Sequence, residues 1–352
     1  MPFSFSTFIL HTSMTAHADA LTDGPGAMHG NIGLRTTSIS ASDSLMESEK
    51  TVGARSYSQT QIELYGEFSP IKHLSVAFSI PYINERYSFT DISAMEFDPA
   101  TKSGSYINST PAGDFERNGA GIGGPTIGFF YYPFHDRLFE NRADRGAWKI
   151  GVSYRLPSSQ HFYTTREDGS RGAGPGAGAW NFYGAFSTPS KVGTPYTELK
   201  ATYTGVWMGP IRNDDGEELL AQGEIRPPSS LSLRVGNALT IWEDTAFAHF
   251  VEFDLYGRVR YDSWADVTTG ILLPSTLSAY DDFIVNRSEI LQLTGGMGVN
   301  AQYNSYYSGR AAFEIGMMGP QAIEHIYPIS TDGSVVWSVV FDLRFRYRTT
   351  AT

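Results

Sequence analysis

Cysteine is absent from this chain of 352 residues, which removes disulfide staples, thiol chemistry and Cys-ligated zinc from consideration. Long apolar runs are missing too, since no stretch approaches the roughly 18 consecutive apolar residues of a membrane helix. If the chain spans a membrane, strands must do it. Basic charge is scarce, with 26 Lys and Arg against 37 Asp and Glu, a formal net charge of −11. Such a balance leaves no clustered cations for phosphates, so nucleic acid is not an expected partner. An acidic surface mildly favours metal ions or cationic partners. No Ser-, Pro- or charge-rich linker divides the chain, and one domain is expected.

What the chain does have is rings: 22 Phe, 20 Tyr and 6 Trp, or 14% aromatic, within a total apolar content of only 41%. Spanning barrels combine these properties, because alternate residues face lipid, the rest face water or polar groups, and rings gather at the two interfaces. At the start, Phe3, Phe5, Phe8, Ile9 and Leu10 precede the small-x-small patterns Ala16-His17-Ala18 and Ala18-Asp19-Ala20. Residues 1–20 therefore read as a signal peptide, with no Lys or Arg ahead of the apolar part, and residues 21–352 as the barrel domain.

The strongest periodicity lies near the C-terminus. Trp337, Val339, Phe341, Leu343, Phe345 and Tyr347 alternate with Ser338, Val340, Asp342, Arg344, Arg346 and Arg348. A period of two defines a strand with one apolar and one charged face. Turning it over would place each Arg in lipid at about 2–4 kcal/mol near the membrane midplane, so the register is firmly set. Similar alternation runs through Phe247 to Asp262, Gln61 to Phe68 and Trp148 to Leu156. Weaker copies cover Leu74 to Tyr82, Ile127 to Tyr132, Trp180 to Phe186, Leu199 to Trp207, Leu231 to Leu239, Leu291 to Ala301 and Ala311 to Met317, with a first strand near Asn31 to Ile39.

About twelve strands result, and the spaces between them alternate between long and short. The long ones, near 40–55, 84–118, 158–174, 209–228, 264–284 and 318–333, become extracellular loops. The short ones, near 69–72, 133–146, 188–195, 242–246 and 302–307, become periplasmic turns. The expected fold is an all-β, transmembrane, antiparallel up-and-down β-barrel in the bacterial outer membrane, with lipid and a small-molecule solute as partners and a homo-oligomer left open.

From Leu64 to Ile83 the sequence Leu-Tyr-Gly-Glu-Phe-Ser-Pro-Ile-Lys-His-Leu-Ser-Val-Ala-Phe-Ser-Ile-Pro-Tyr-Ile has a Tyr-Gly strand end, a tight turn and a second strand ending in Pro-Tyr. It resembles the outer-membrane family known as "meta-pathway of phenol degradation" proteins. Gly121-Ile122-Gly123-Gly124-Pro125-Thr126-Ile127-Gly128 matches that family's Gly-x-Gly-Asp strand opening, with Gly124 standing where Asp is usual. About 70 residues carry the resemblance. It implies a barrel and passage of small, aromatic or hydrophobic organic molecules, and it supplies no catalytic residues.

Fourteen inward charges are the candidate pore-lining residues: Glu63, Glu67, Lys149, Arg155, Glu198, Lys200, Glu252, Asp254, Arg258, Arg260, Glu314, Asp342, Arg344 and Arg346. They either line a water-filled passage or pair across the lumen into a plug; a narrow, polar-lined passage is the favoured alternative. A closed surface-display barrel binding a partner through its long loops is the second reading, and an outer-membrane hydrolase the third. No catalytic residue, metal or cofactor is expected. His249 falls on an outward face with no Ser or Asn partner at a recognisable spacing. Asn213 to Glu218 lacks the spacing of a calcium loop, and Gly172 to Gly178 lacks the Gly-Lys-Ser/Thr ending of a phosphate cradle. That run reads as the transition into the strand at Trp180.

Overall fold

The computed structural model describes residues 28–348 apart from 48–49, 72, 93–96, 99–102, 105–112, 134–146, 159–171, 189, 191–192, 213–217, 245–248, 269–283, 288, 305, 321–322 and 325–328. Its wall is a closed antiparallel barrel with twelve strand positions. In chain order the strands are β1 (His29–Glu47), β2 (Lys50–Ile71), β3 (Leu74–Ile92), β4 (Gly113–Ile122), β5 (Thr126–Tyr131), β6 (Ala147–Arg155), β7 (Ala179–Ser187) and β8 (Thr194–Thr204). There follow β9 (Ser230–Asp244), β10 (His249–Asp262), β11 (Ile290–Tyr303), β12 (Tyr307–Met318) and β13 (Ser334–Arg348). Apart from β4 and β5, which do not pair with each other, each pairs with its neighbour in sequence, and β13 returns to pair with β1 from His29↔Arg348 to Ser42↔Val335. The fourth position is shared by β4 and β5.

Alternation explains which face each residue takes. Leu34, Leu64, Ile80, Phe129, Phe182, Leu233, Leu255, Met297, Phe313 and Leu343 are exposed on the outside, while Arg35, Glu63, Ser79, Asn181, Arg234 and Asp254 are buried inside. A band of exposed hydrocarbon around a charged interior is stable only where the outside solvent is lipid. Rings mark both borders of that band. Tyr82, Tyr154, Trp180, Tyr203, Tyr261 and Trp337 stand toward the loop side, and Tyr131, Trp148, Trp242, Tyr303, Tyr307 and Phe345 toward the turn side. Neighbouring rings touch, as Tyr154 and Trp180 do at 4.7 Å and Trp148 and Phe186 at 5.0 Å.

The wall is not equally tall all round. β1 and β2 continue pairing through Ser40↔Ser58, Ser42↔Ser56 and Asp43↔Arg55, so residues expected in a loop at 40–55 mostly lengthen a hairpin. Their outward side chains there are hydroxyls, suited to water rather than lipid. Inside, Arg55 donates to Asp43 at 2.9 Å and Ser334 adds a second donor at 3.0 Å. In the same way β3 runs on to Ile92 and β4 returns from Gly113, shortening the expected 84–118 loop. Within 209–228, Trp207–Arg212 pairs with Glu218–Ile225 as a separate hairpin.

β4 and β5 are separated by Gly123-Gly124-Pro125. β5 pairs with both β3 and β6, whereas β4 pairs with β3 alone. Gly124 is required here, because a Cβ would lie 2.0 Å from the Leu156 carbonyl oxygen. Pro125 has no N–H to give a ladder, but its carbonyl accepts from Leu156 N at 2.8 Å. The glycine-rich motif thus marks an interruption in the wall. Residues 1–20, and with them the expected signal peptide, lie outside the described residues.

Candidate functional site: the barrel lumen

All fourteen candidate residues lie on strands with their side chains on the inward parity. Nine of them, Glu63, Glu67, Lys149, Arg155, Glu198, Glu252, Asp254, Glu314 and Asp342, are buried. Lys200, Arg258, Arg260, Arg344 and Arg346 keep partial contact with solvent.

Nine of these residues gather into three clusters. Arg155, Lys200, Glu252, Arg260 and Arg346 stand outside them, Arg260 bonding Asp262 at 2.8 Å and Arg346 bonding Gln302 at 3.2 Å. In the first, Arg35 of β1 binds Asp342 of β13 at 3.0 Å and Glu63 of β2 at 3.4 Å. Tyr65 donates to Asp342 at 2.5 Å and accepts from Arg344 at 3.2 Å. In the second, Lys149 of β6 reaches over β5 and β3 to Glu67 of β2 at 3.4 Å. Its ammonium stands 4.3 Å from the Phe130 ring centre and 5.1 Å from that of Tyr132. Tyr132 and Ser75 donate to the same Glu67 carboxylate.

The third cluster spans β8 to β13. Asp254, fully buried, accepts from Tyr196 at 2.9 Å, Arg310 at 3.2 Å and Arg234 at 3.4 Å. Arg234 stacks 3.6 Å from the centre of the Tyr256 ring. Tyr256 and Arg258 both donate to Glu314 at 2.8 Å. Charges in a low-dielectric interior persist when each is paired and its remaining lone pairs or protons are bonded. Tyrosine meets both needs here, supplying a donor hydroxyl and a ring face for cations.

The pairing answers part of the alternative left open by the sequence, since most inward charges are salt-bridged to neighbours. Sequence reasoning missed Arg35, Arg234 and Arg310, the arginines that bind Asp342, Glu198 and Asp254. Parity was available for each: Arg35 lies two residues from Gly33 and Thr37, and Arg234 opposes Leu233 and Val235. Tyr65 shares the parity of Glu63 and Glu67 and, being uncharged, carries no signal of its role. Glu85, buried on β3 toward the loop side, was passed over too.

His249 stacks on Tyr303 at 4.7 Å, with Trp242 at 6.2 Å, as part of the turn-side ring border. Asn213 to Gly216 lie outside the described residues, and among the described residues no cluster of His, Asp and Glu could hold a metal ion. An apolar groove of about 790 Å³ lies on the outer face between Trp242, Tyr303, Tyr307 and Phe345. It belongs to the lipid side and not to the lumen.

Closed wall, lipid-facing band, ring borders and long excursions at one end together define an outer-membrane β-barrel. The COG4313 outer membrane channel from Pseudomonas putida F1 has a similar structure, with a TM-score of 0.53 at 11% identity over 92% of this chain and 98% of that one. The translocator domain of the autotransporter NalP from Neisseria meningitidis gives a TM-score of 0.44 at 10% identity over 92% and 90% of the two chains. A FadL homologue from Pseudomonas aeruginosa gives 0.38 at 10% over 91% and 90%. No family model and no curated protein matches the sequence.

Proposed function

We propose that this barrel is a passive channel for small organic solutes across the outer membrane. The carrying observation is that five inward cations, Lys200, Arg258, Arg260, Arg344 and Arg346, are only partly buried amid a belt of otherwise buried charges. A sealed plug would bury them all; a narrow polar passage leaves such groups wetted. The resemblance of Leu64 to Ile83 to the outer-membrane family of the phenol meta-pathway supports the solute class, and the structural likeness to the outer membrane channel of P. putida supports the activity.

Hydrolysis finds less support. His249 is a ring-stacked border residue on the lipid face. Surface display keeps one observation in its favour, the hydroxyl-faced sheet of β1 and β2 that rises beyond the lipid band. Planar-bilayer conductance and flux of a small aromatic solute into proteoliposomes test the channel. Folded protein that gives neither conductance nor flux would end this reading.

A further inference from the structure

The glycine-rich run Gly172-Ala173-Gly174-Pro175-Gly176-Ala177-Gly178 does more than lead into β7. Except at Pro175 it is buried, and it is fastened to side chains from two separate strands. Gly174 N donates to Glu85 Oε1 of β3 at 3.0 Å, and Arg155 Nη2 of β6 donates to the Ala177 carbonyl at 3.1 Å. β4 and β5, with the Gly123-Gly124-Pro125 interruption, lie between those strands. The run therefore crosses the inner side of the wall where the ladder between the fourth position and β6 has ended.

Composition suits that passage. Gly174 and Gly176 have φ of +79° and +66°, and a Cβ at Gly178 would come within 2.5 Å of the Tyr154 hydroxyl. Only methyl groups and one pyrrolidine ring project from the segment, so it is as thin as a polypeptide can be. Glycine also surrenders the most conformational freedom on ordering. A strap with so little side-chain burial is held chiefly by hydrogen bonds. Besides Glu85 and Arg155, Ser158 N donates to the Gly176 carbonyl and Gly205 N to the Gly178 carbonyl, both at 2.8 Å. Its C-terminal half is thus pinned by backbone, while Gly174 depends on Glu85. That last fastening is itself unusual: Glu85 is wholly buried, and its Oε2 has no hydrogen-bond partner among the described residues. Gln59 reaches only Oε1, at 3.5 Å.

We propose that Gly172 to Gly178 is the gate of the lumen, a strap latched across the inner wall by Glu85 and Arg155 and released when solute enters from the loop side. The proposal rests on the channel reading. Glu85 and Arg155 then act as positioning residues that set how often the strap is open.

The cysteine-free chain allows a direct test. Ala173→Cys reports strap exposure through its rate of modification by a water-soluble methanethiosulfonate, and Ala238→Cys on β9, equally buried, serves as the control. Adding Glu85→Ala removes the acceptor that holds Gly174, so modification at position 173 should accelerate by up to about tenfold while position 238 does not change. Flux of benzene-sized solute into proteoliposomes should rise with it. Glu85→Gln, which keeps an acceptor, serves if the alanine variant does not fold, and should give a smaller acceleration. Unchanged modification, or faster modification with unchanged flux, overturns the gate and leaves the channel standing. No flux through either protein overturns both.

Discussion

The charged belt and the strap are held by opposite means. In the belt every acid of the third cluster is served by several donors, as Asp254 is by Tyr196, Arg234 and Arg310. The strap has two lumenal side chains, one at each end, and almost no side chains of its own. Redundant charge pairing resists any single disturbance only while both partners remain. The strap's Gly176 to Gly178 end is also pinned by the backbone N–H groups of Ser158 and Gly205, so Glu85 at Gly174 is the point at which it can be let go. Stiffness in the one place and release in the other suit a passage of fixed bore with a movable entrance.

Removing a belt carboxylate should produce the largest effect. Asp254→Ala leaves Arg234 and Arg310 buried beside each other with less counter-charge, and losing one partner of a buried ion pair costs about 3–5 kcal/mol. The variant should unfold at clearly lower urea concentration in heat-modifiability gels; an unchanged midpoint would deny the belt its structural role. Gly124→Ala comes next, because the new methyl would meet the Leu156 carbonyl at 2.0 Å. Overpacking of that kind costs roughly 1–3 kcal/mol, and the same gels should register it without loss of the barrel.

Smaller still is Gly174→Ala. Its φ of +79° imposes about 1–2 kcal/mol on any L side chain, a strain that falls on the strap alone. Cysteine modification at Ala173 should quicken while global unfolding barely moves, which separates strap from belt. Least of all is Glu116→Gln, which breaks the exposed Arg86–Glu116 pair. Exposed pairs contribute about 0–1 kcal/mol, so a measurable fall in stability there would contradict the view that burial gives the belt its strength.

The barrel was legible in the sequence because its period is set by the two solvents it separates. The alternation from Trp337 to Tyr347 gave the faces of β13, and the same parity placed the fourteen candidate charges on the inner side, though Arg35, Arg234, Arg310 and Glu85 lie there too. Strand ends on the loop side were not legible. Beyond the lipid band the outward residues become Ser40, Ser42, Ser56 and Ser58, so apolar contrast vanishes although backbone pairing continues. Partners were hidden for another reason. Lys149 meets Glu67 by reaching over two strands, a relation fixed by barrel closure and not by local spacing. The strap offered no signal of its own, since a run of glycine and alanine reads the same whether it loops outward or folds in.

One consequence follows from the seam where β13 meets β1. Arg35 and Asp342 stand 307 positions apart, yet each buries the other's charge. Glu63, on the neighbouring strand of the same hairpin, is the only one of Arg35's two acids that an unclosed sheet could offer it. The second counter-charge exists only in the finished cylinder, so the first and last strands are joined by side-chain charge as well as by backbone ladder.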